Sequence, residues 1–227
     1  MIKPTYLLFL IIPFLAHGFQ IPKLTWTEYS DRDGVKIFKA VESVKGSDMV
    51  PIKFQTIVVH SLAKVLTVMA DTPRKLEWVP QMKMAKTLNN ISPYSKIEYA
   101  HYNSPWPFDD RVFLLKMEGD YYPKDKEIRI EMHSLDSYPN APVAENVVKG
   151  VTHFGSVTLR PVLGPNGEHW TWFEMLFLTD FKGNIPNWIV KMVQTSWPKK
   201  LVRKMRNQLN KADVKANPAY KFNKLYN

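Results

Sequence analysis

From about residue 35 to residue 179 the chain is dominated by short runs in which apolar and polar residues alternate. Alternation with a period of two sends side chains to opposite faces, which predicts strands half buried against a core. One such run, 35–40, follows the turn residues Asp31, Arg32, Asp33 and Gly34, and a second, 52–59, is rich in β-branched residues. The period then changes. Leu62, Val65, Leu66 and Met69 recur at three and four residues, which predicts a short helix with Ser61 as its N-cap. Thr72 as a cap, followed by Pro73 at the first helical position, predicts a second helical turn through Trp78. Strands are predicted again over 82–88, 96–103, 111–119, 127–135, 147–159 and 169–179. The turns between them carry Pro and Gly, as at Ser92-Pro93 and Gly164-Pro165-Asn166-Gly167, so consecutive strands should pair antiparallel.

The longest predicted helix comes last, over 185–211. Its apolar positions are Ile185, Ile189, Val193, Trp197, Leu201, Met205 and Leu209, spaced by four, and Trp188 and Met192 widen the stripe. Pro198 falls inside this stretch, where it is expected to kink the helix or split it after Trp197. The fold class that follows is α+β: an antiparallel sheet, two short helices between its early strands, and a long C-terminal helix packed on it. The tail after Ala212 is expected to be poorly ordered.

Composition changes the picture in three places. A chain of 227 residues with 45% apolar content suits one large domain, and its seven Trp, ten Tyr and twelve Phe imply a thick core or an apolar ligand site. Cysteine is absent, which removes disulfides, thiolate nucleophiles and Cys-based zinc sites. The net charge of +10 is concentrated locally, because the stretch 181–212 holds eight basic residues and no acidic one. Lys199, Lys200, Arg203 and Lys204, on the outer face of the predicted helix, are therefore candidates for contact with an anionic membrane. Residues 1–18 read as a signal peptide: Lys3 supplies the positive region, 6–16 is an apolar run, and Ala16-His17-Gly18 offers a cleavage site. Export to the periplasm or the cell exterior is the expected localisation, and it argues against a nucleic-acid partner.

Three strings carry a family resemblance. They are Arg74-Lys75-Leu76-Glu77-Trp78-Val79-Pro80, then Ser104-Pro105-Trp106-Pro107-Phe108-Asp109-Asp110-Arg111-Val112-Phe113, and finally Asp180-Phe181-Lys182-Gly183-Asn184-Ile185-Pro186. In order and spacing the chain from about Trp26 to Lys211 resembles the START (StAR-related lipid transfer) domain family. Val112 departs from it, since the family usually has an acidic residue there. The resemblance implies a helix-grip fold, a strongly curved sheet wrapped around the C-terminal helix. It also implies a tunnel between the two that holds one sterol, phospholipid or similar molecule. The expected organisation is a signal peptide over 1–18, a START-like domain over 19–211 and a tail over 212–227. Helix-grip relatives also include polyketide cyclases and aromatases, so an enzyme on the same scaffold is the alternative.

Strand alternation nominates the tunnel's residues. Arg111, Phe113, Leu115 and Met117 share one face. Glu174 shares a face with Trp170, Trp172, Leu176 and Leu178, and His153 with Val151, Val157 and Leu159. A charge on an apolar face must find a partner or stay in water. Arg111 and Glu174 are therefore expected either to pair inside the cavity and orient a ligand head group, or to sit at solvated edges. His153 is expected either to face the ligand or to be a satisfied structural histidine. The candidate ligand-binding set is therefore Arg111, Phe113, Leu115, Met117, His153, Trp172, Glu174, Trp188 and Met192. No nucleophile elbow, phosphate loop or zinc-protease motif occurs, and the histidines lack metal-ligand spacing. No catalytic residue, metal or cofactor is assigned. The expected partner is a hydrophobic small molecule, with transient membrane contact and no second subunit.

Overall fold

The computed structural model describes residues 21–47 and 49–226, so the predicted signal peptide lies outside the described residues. The chain opens with the strands β1 (Trp26–Arg32), β2 (Val35–Ala40) and β3 (Ile52–Val58). Two helices follow, α1 (Leu62–Ala70) and α2 (Lys75–Trp78). Then come β4 (Met82–Ser92), β5 (Ser95–Tyr102), β6 (Asp110–Tyr122), β7 (Glu127–Ser134), β8 (Val147–Lys149), β9 (Val151–Leu163) and β10 (His169–Asp180). Helix α3 (Asn187–Leu209) closes the domain, and a short 3-10 turn (Asn223–Tyr226) ends the described chain.

The described strands form one sheet in the order β1-β2-β3-β10-β9-β7-β6-β5-β4, antiparallel throughout. The exception is β8, which lies parallel to the first residues of β6, where β7 does not reach. After β3 the chain crosses through α1 and α2 to the far edge and returns strand by strand, so β10 ends beside β3. The sheet bends through bulges, three of them between β4 and β5 and one between β9 and β10. Close approach is enforced at Gly150, where a Cβ would stand 2.3 Å from the Phe113 ring.

Helix α3 lies in the trough of this sheet. Each step of four residues overshoots a full helical turn by about 40°, so its apolar stripe, from Ile189 to Leu209, rotates by about 200° along its length. A flat sheet could bury only part of such a spiral. The early part of α3 faces the interior of the sheet, while the later part is lodged against α1, α2, β2 and β3. Leu201, Val202, Met205 and Leu209 are fully buried there with Leu62, Val65 and Leu66 of α1.

Several local expectations are corrected. Helix α3 is not split at Pro198, which is itself buried while Trp197 packs edge-on against Phe177. Tertiary packing thus holds both halves across the missing N–H. Ser61 caps α1 through its carbonyl, which accepts from Lys64 and Val65, and not through its hydroxyl. The Thr72 carbonyl likewise accepts the Lys75 N–H, which frees the Thr72 hydroxyl for a different task described below. Strand β1 had no alternation strong enough to predict it. The tail is not loose: Val214, Phe222 and Tyr226 are buried, the Tyr226 hydroxyl accepts from Leu62 N at 2.7 Å, and its ring stacks on His169.

Candidate ligand site

A cavity of about 290 Å³ lies between the sheet and the first half of α3. Its walls come from the inward faces of β5, β6, β7, β9 and β10, from α1 and α2, and from Ile185, Ile189, Met192, Val193, Trp197 and Leu201. One end is bordered by Gln81, Asn103, Ser104, Pro105, Phe181 and Ile185, the other by Asn90 and residues 92–95 around the β4–β5 turn. Near the first end Tyr102, Phe113 and Phe181 stack edge to face as an aromatic ladder.

Five of the nine residues nominated for ligand contact line this cavity: Arg111, Phe113, Leu115, Met117 and Met192. Trp172, Glu174, His153 and Trp188 do not. On β10 the inward residues are Phe173, Met175, Phe177 and Thr179, so Glu174 and Trp172 face outward. Both faces of β10 are apolar because the N-terminal segment covers the outer one, where Leu24, Trp26, Val44 and Met49 pack on Phe154, Leu176 and Leu178. Glu174 accepts a 2.6 Å hydrogen bond from Gln55 Nε2 on the neighbouring strand, and Trp172 lies under the Arg160 guanidinium. For His153 the bulge in β9 is decisive: Thr152 and Val157 face the cavity, which breaks the simple alternation between them. The His153 Nε2 is buried with no hydrogen-bond partner among the described residues. Trp188 is 54% exposed on the outer side of α3.

The expected Arg111–Glu174 pair is therefore not formed. Arg111 spends its fork on backbone carbonyls instead, donating to Asp109, to Phe181 at 3.3 Å and to Lys182 at 3.1 Å. Burial lowers its pKa, opposed by Asp109 and Asp110. It ties the start of β6 to the loop that leads into α3. Beside it, Asp110 fixes the Trp106 turn by accepting from Ser104 N at 2.9 Å, while Lys83 and His101 hold its other oxygen. Burial works against ionisation of Asp110, but those bonds hold its carboxyl down at about 2. The indole of Trp106 itself stands 92% exposed at that end of the cavity.

A polar cluster that the alternation argument missed sits in the opposite part of the wall. Lys75 Nζ on α2 donates to both oxygens of Glu98 on β5, at 2.7 and 2.8 Å. Lys96 Nζ reaches Glu98 Oε2 at 2.8 Å and donates to the Thr72 hydroxyl at 2.6 Å. The Thr72 hydroxyl in turn donates to Glu98 at 2.9 Å. All three ionisable residues line the cavity, and Glu98 is 1% exposed. Burial opposes the charge on Glu98, and the two ammonium groups overcome it, holding the carboxyl at about 2. Burial and the neighbouring Lys75 push Lys96 down to about 8, against the pull of Glu98. Lys96, Glu98, Ala100 and Tyr102 share one strand face, so the same two-residue spacing that nominated Arg111 would have found them.

The membrane-contact candidates are placed outward. Lys200, Arg203 and Lys204 are exposed, Lys199 is half-buried, and no ion pair engages them among the described residues. The basic face is not complete, however. Arg206 turns toward the sheet and donates to Thr56 Oγ1 at 2.8 Å and to the Ile57 carbonyl at 3.1 Å. No helix among the described residues is long and apolar enough to cross a membrane.

Comparison with solved structures places this architecture among StAR-related proteins. Human StAR-related lipid transfer protein 5 superposes with a TM-score of 0.69 at 16% identity, over 81% of this chain and 86% of that one. Human STARD10 gives 0.67 at 17% identity, over 81% and 72%. A STAR-related lipid transfer protein fragment from Xanthomonas axonopodis gives 0.65 at 18% identity, over 82% and 99%. A search of curated protein sequences finds no match. The family model of the START domain matches residues 23–214, nearly all of the described chain, and the protein belongs to that family.

Proposed function

We propose that the protein binds one lipid or similarly hydrophobic molecule in the cavity between the sheet and α3, and exchanges it with a membrane. The observation that carries this reading is the cavity itself. A core of this size has enough apolar side chains to close on itself, yet Phe113, Phe177, Met192 and Trp197 stand around open volume. Apolar ligand surface removed from water there contributes about 25 cal/mol per Å². The lipid-transfer names of the structural relatives support the same reading.

Exchange would proceed at the end bordered by Ser104, Pro105, Phe181 and Ile185, where exposed Trp106 and Trp188 can enter a lipid interface. Lys199, Lys200, Arg203 and Lys204 would add attraction to anionic headgroups. Export follows from the proposed signal peptide, and a secreted form beginning at Phe19 is its test. The binding reading is tested by native mass spectrometry of protein purified from a host with natural membranes. A one-to-one lipid adduct is expected, and it should be lost when the cavity is filled by Met192→Trp or Val157→Trp. A folded protein that carries no lipid and takes none up from vesicles would sink the proposal.

A further inference from the structure

The cavity is apolar along most of its length; Arg111 at one end has its fork taken by backbone carbonyls, and a second positive group sits at the other end. Lys75 and Lys96 share the single carboxylate of Glu98. An ammonium group has three donors, and Lys75 commits only two of them, both to Glu98. One helical step further, Trp78 lines the same cavity with its indole N–H buried and unpartnered among the described residues. An unused ammonium proton, an unused indole proton and a net positive charge together ask for an anionic acceptor.

The shape limits what can bring that anion. Along β6 the wall runs from Arg111, beside Tyr102, to Met117, beside Lys96. Six residues of strand rise make this about 20 Å. A volume of about 290 Å³ spread over such a length leaves room for one extended chain. It also falls just below the ~300–1,000 Å³ found for small-molecule pockets.

We propose that Lys75 and Lys96 form a headgroup subsite selecting a single-chain lipid whose head is an anionic oxygen acid, either a carboxylate or a phosphate monoester. This rests on the lipid-binding reading above and names its ligand class. The hydrocarbon chain then lies along Leu115, Phe113, Phe177 and Met192 toward the Trp106 end. Lys96, whose pKa burial brings down to about 8, is still mostly charged at neutral pH, and an added anion would favour that charge.

The test loads the full chain with the neutral fluorophore N-phenylnaphthylamine at neutral pH and displaces it with oleate, oleoyl lysophosphatidate or oleyl alcohol. At least one of the two anions should bind at least about tenfold more tightly than the alcohol, the scale of one charge-assisted hydrogen bond. In Lys75→Met and in Lys96→Met that preference should shrink to roughly threefold or less. Lys96→Met leaves the Lys75–Glu98 pair intact, so it serves if Lys75→Met does not fold. No preference in the unaltered protein, or one that survives in every folded variant, overturns the headgroup subsite. If neither fluorophore nor alcohol enters, the cavity reading itself fails. Displacement by inorganic phosphate as effectively as by oleate would make this a free-anion site and overturn the lipid assignment.

Discussion

Glu98 sits almost wholly out of water yet remains ionised, because two ammonium groups and the Thr72 hydroxyl surround its carboxylate. Its folded pKa of about 2 lies below the ordinary carboxylate value of 4.5. The folded state therefore releases this proton more readily than the unfolded state. The stabilisation is fully present above about pH 4.5 and is lost as pH falls through about 2, an effect on the order of a few kcal/mol. Melting temperature measured from pH 5 down to pH 2 should fall less steeply in Glu98→Gln than in the unaltered protein. Equal slopes would show that the carboxylate is not the group being titrated. Arg111 teaches the complementary point. Its place on an apolar face was readable from alternation, but its partners were not, since the carbonyls of Phe181 and Lys182 lie some seventy residues away in sequence.

Helix α3 is one element with two environments. Its first half borders the cavity, and Pro198 denies the Gln194 carbonyl its usual helical donor. Its second half is packed on α1 and α2 and held at Glu77, which accepts from Arg74 at 2.9 Å, Gln208 at 2.8 Å and Lys211 at 2.7 Å. Amide hydrogen exchange should therefore be faster over 188–196 than over 201–208, and a bound ligand should slow the first stretch only. Uniform protection along α3 in the empty protein would contradict this. The stripe at a spacing of four was legible in the sequence, and so was the presence of a long helix. What the spacing could not supply is which turns meet solid core and which meet open volume, because that depends on the residues facing it from other strands.

On the scale of the whole molecule, the tail and the outer basic face make separate predictions. Phe222 and Tyr226 are buried, Tyr220 stacks on Tyr94 at the β4–β5 turn, and Tyr226 closes on His169 and α1. Fully burying one such side chain contributes about 1.5–3 kcal/mol. Truncation after Lys215 should thus cost several kcal/mol in denaturant unfolding, whereas a dispensable tail would leave the midpoint unchanged. Binding to phosphatidylcholine vesicles should rise when phosphatidylserine is included and fall with added salt. Reversing charge at Lys200, Arg203 and Lys204 together should abolish the phosphatidylserine increment, and persistence of that increment would remove α3 from the contact. The sequence by itself determined that strands would dominate, that those joined by short turns would pair antiparallel and that a long amphipathic helix would close the domain, because these follow from local periodicity and turn residues. Three linked strings also carried the family resemblance. Only the tertiary structure decided which face of β10 is inside, that a bulge re-aims β9 around His153, and that Lys75, Lys96 and Glu98 meet. Each of these turns on what lies across the sheet from a residue, and alternation along a strand divides two faces without saying which one the rest of the chain will cover.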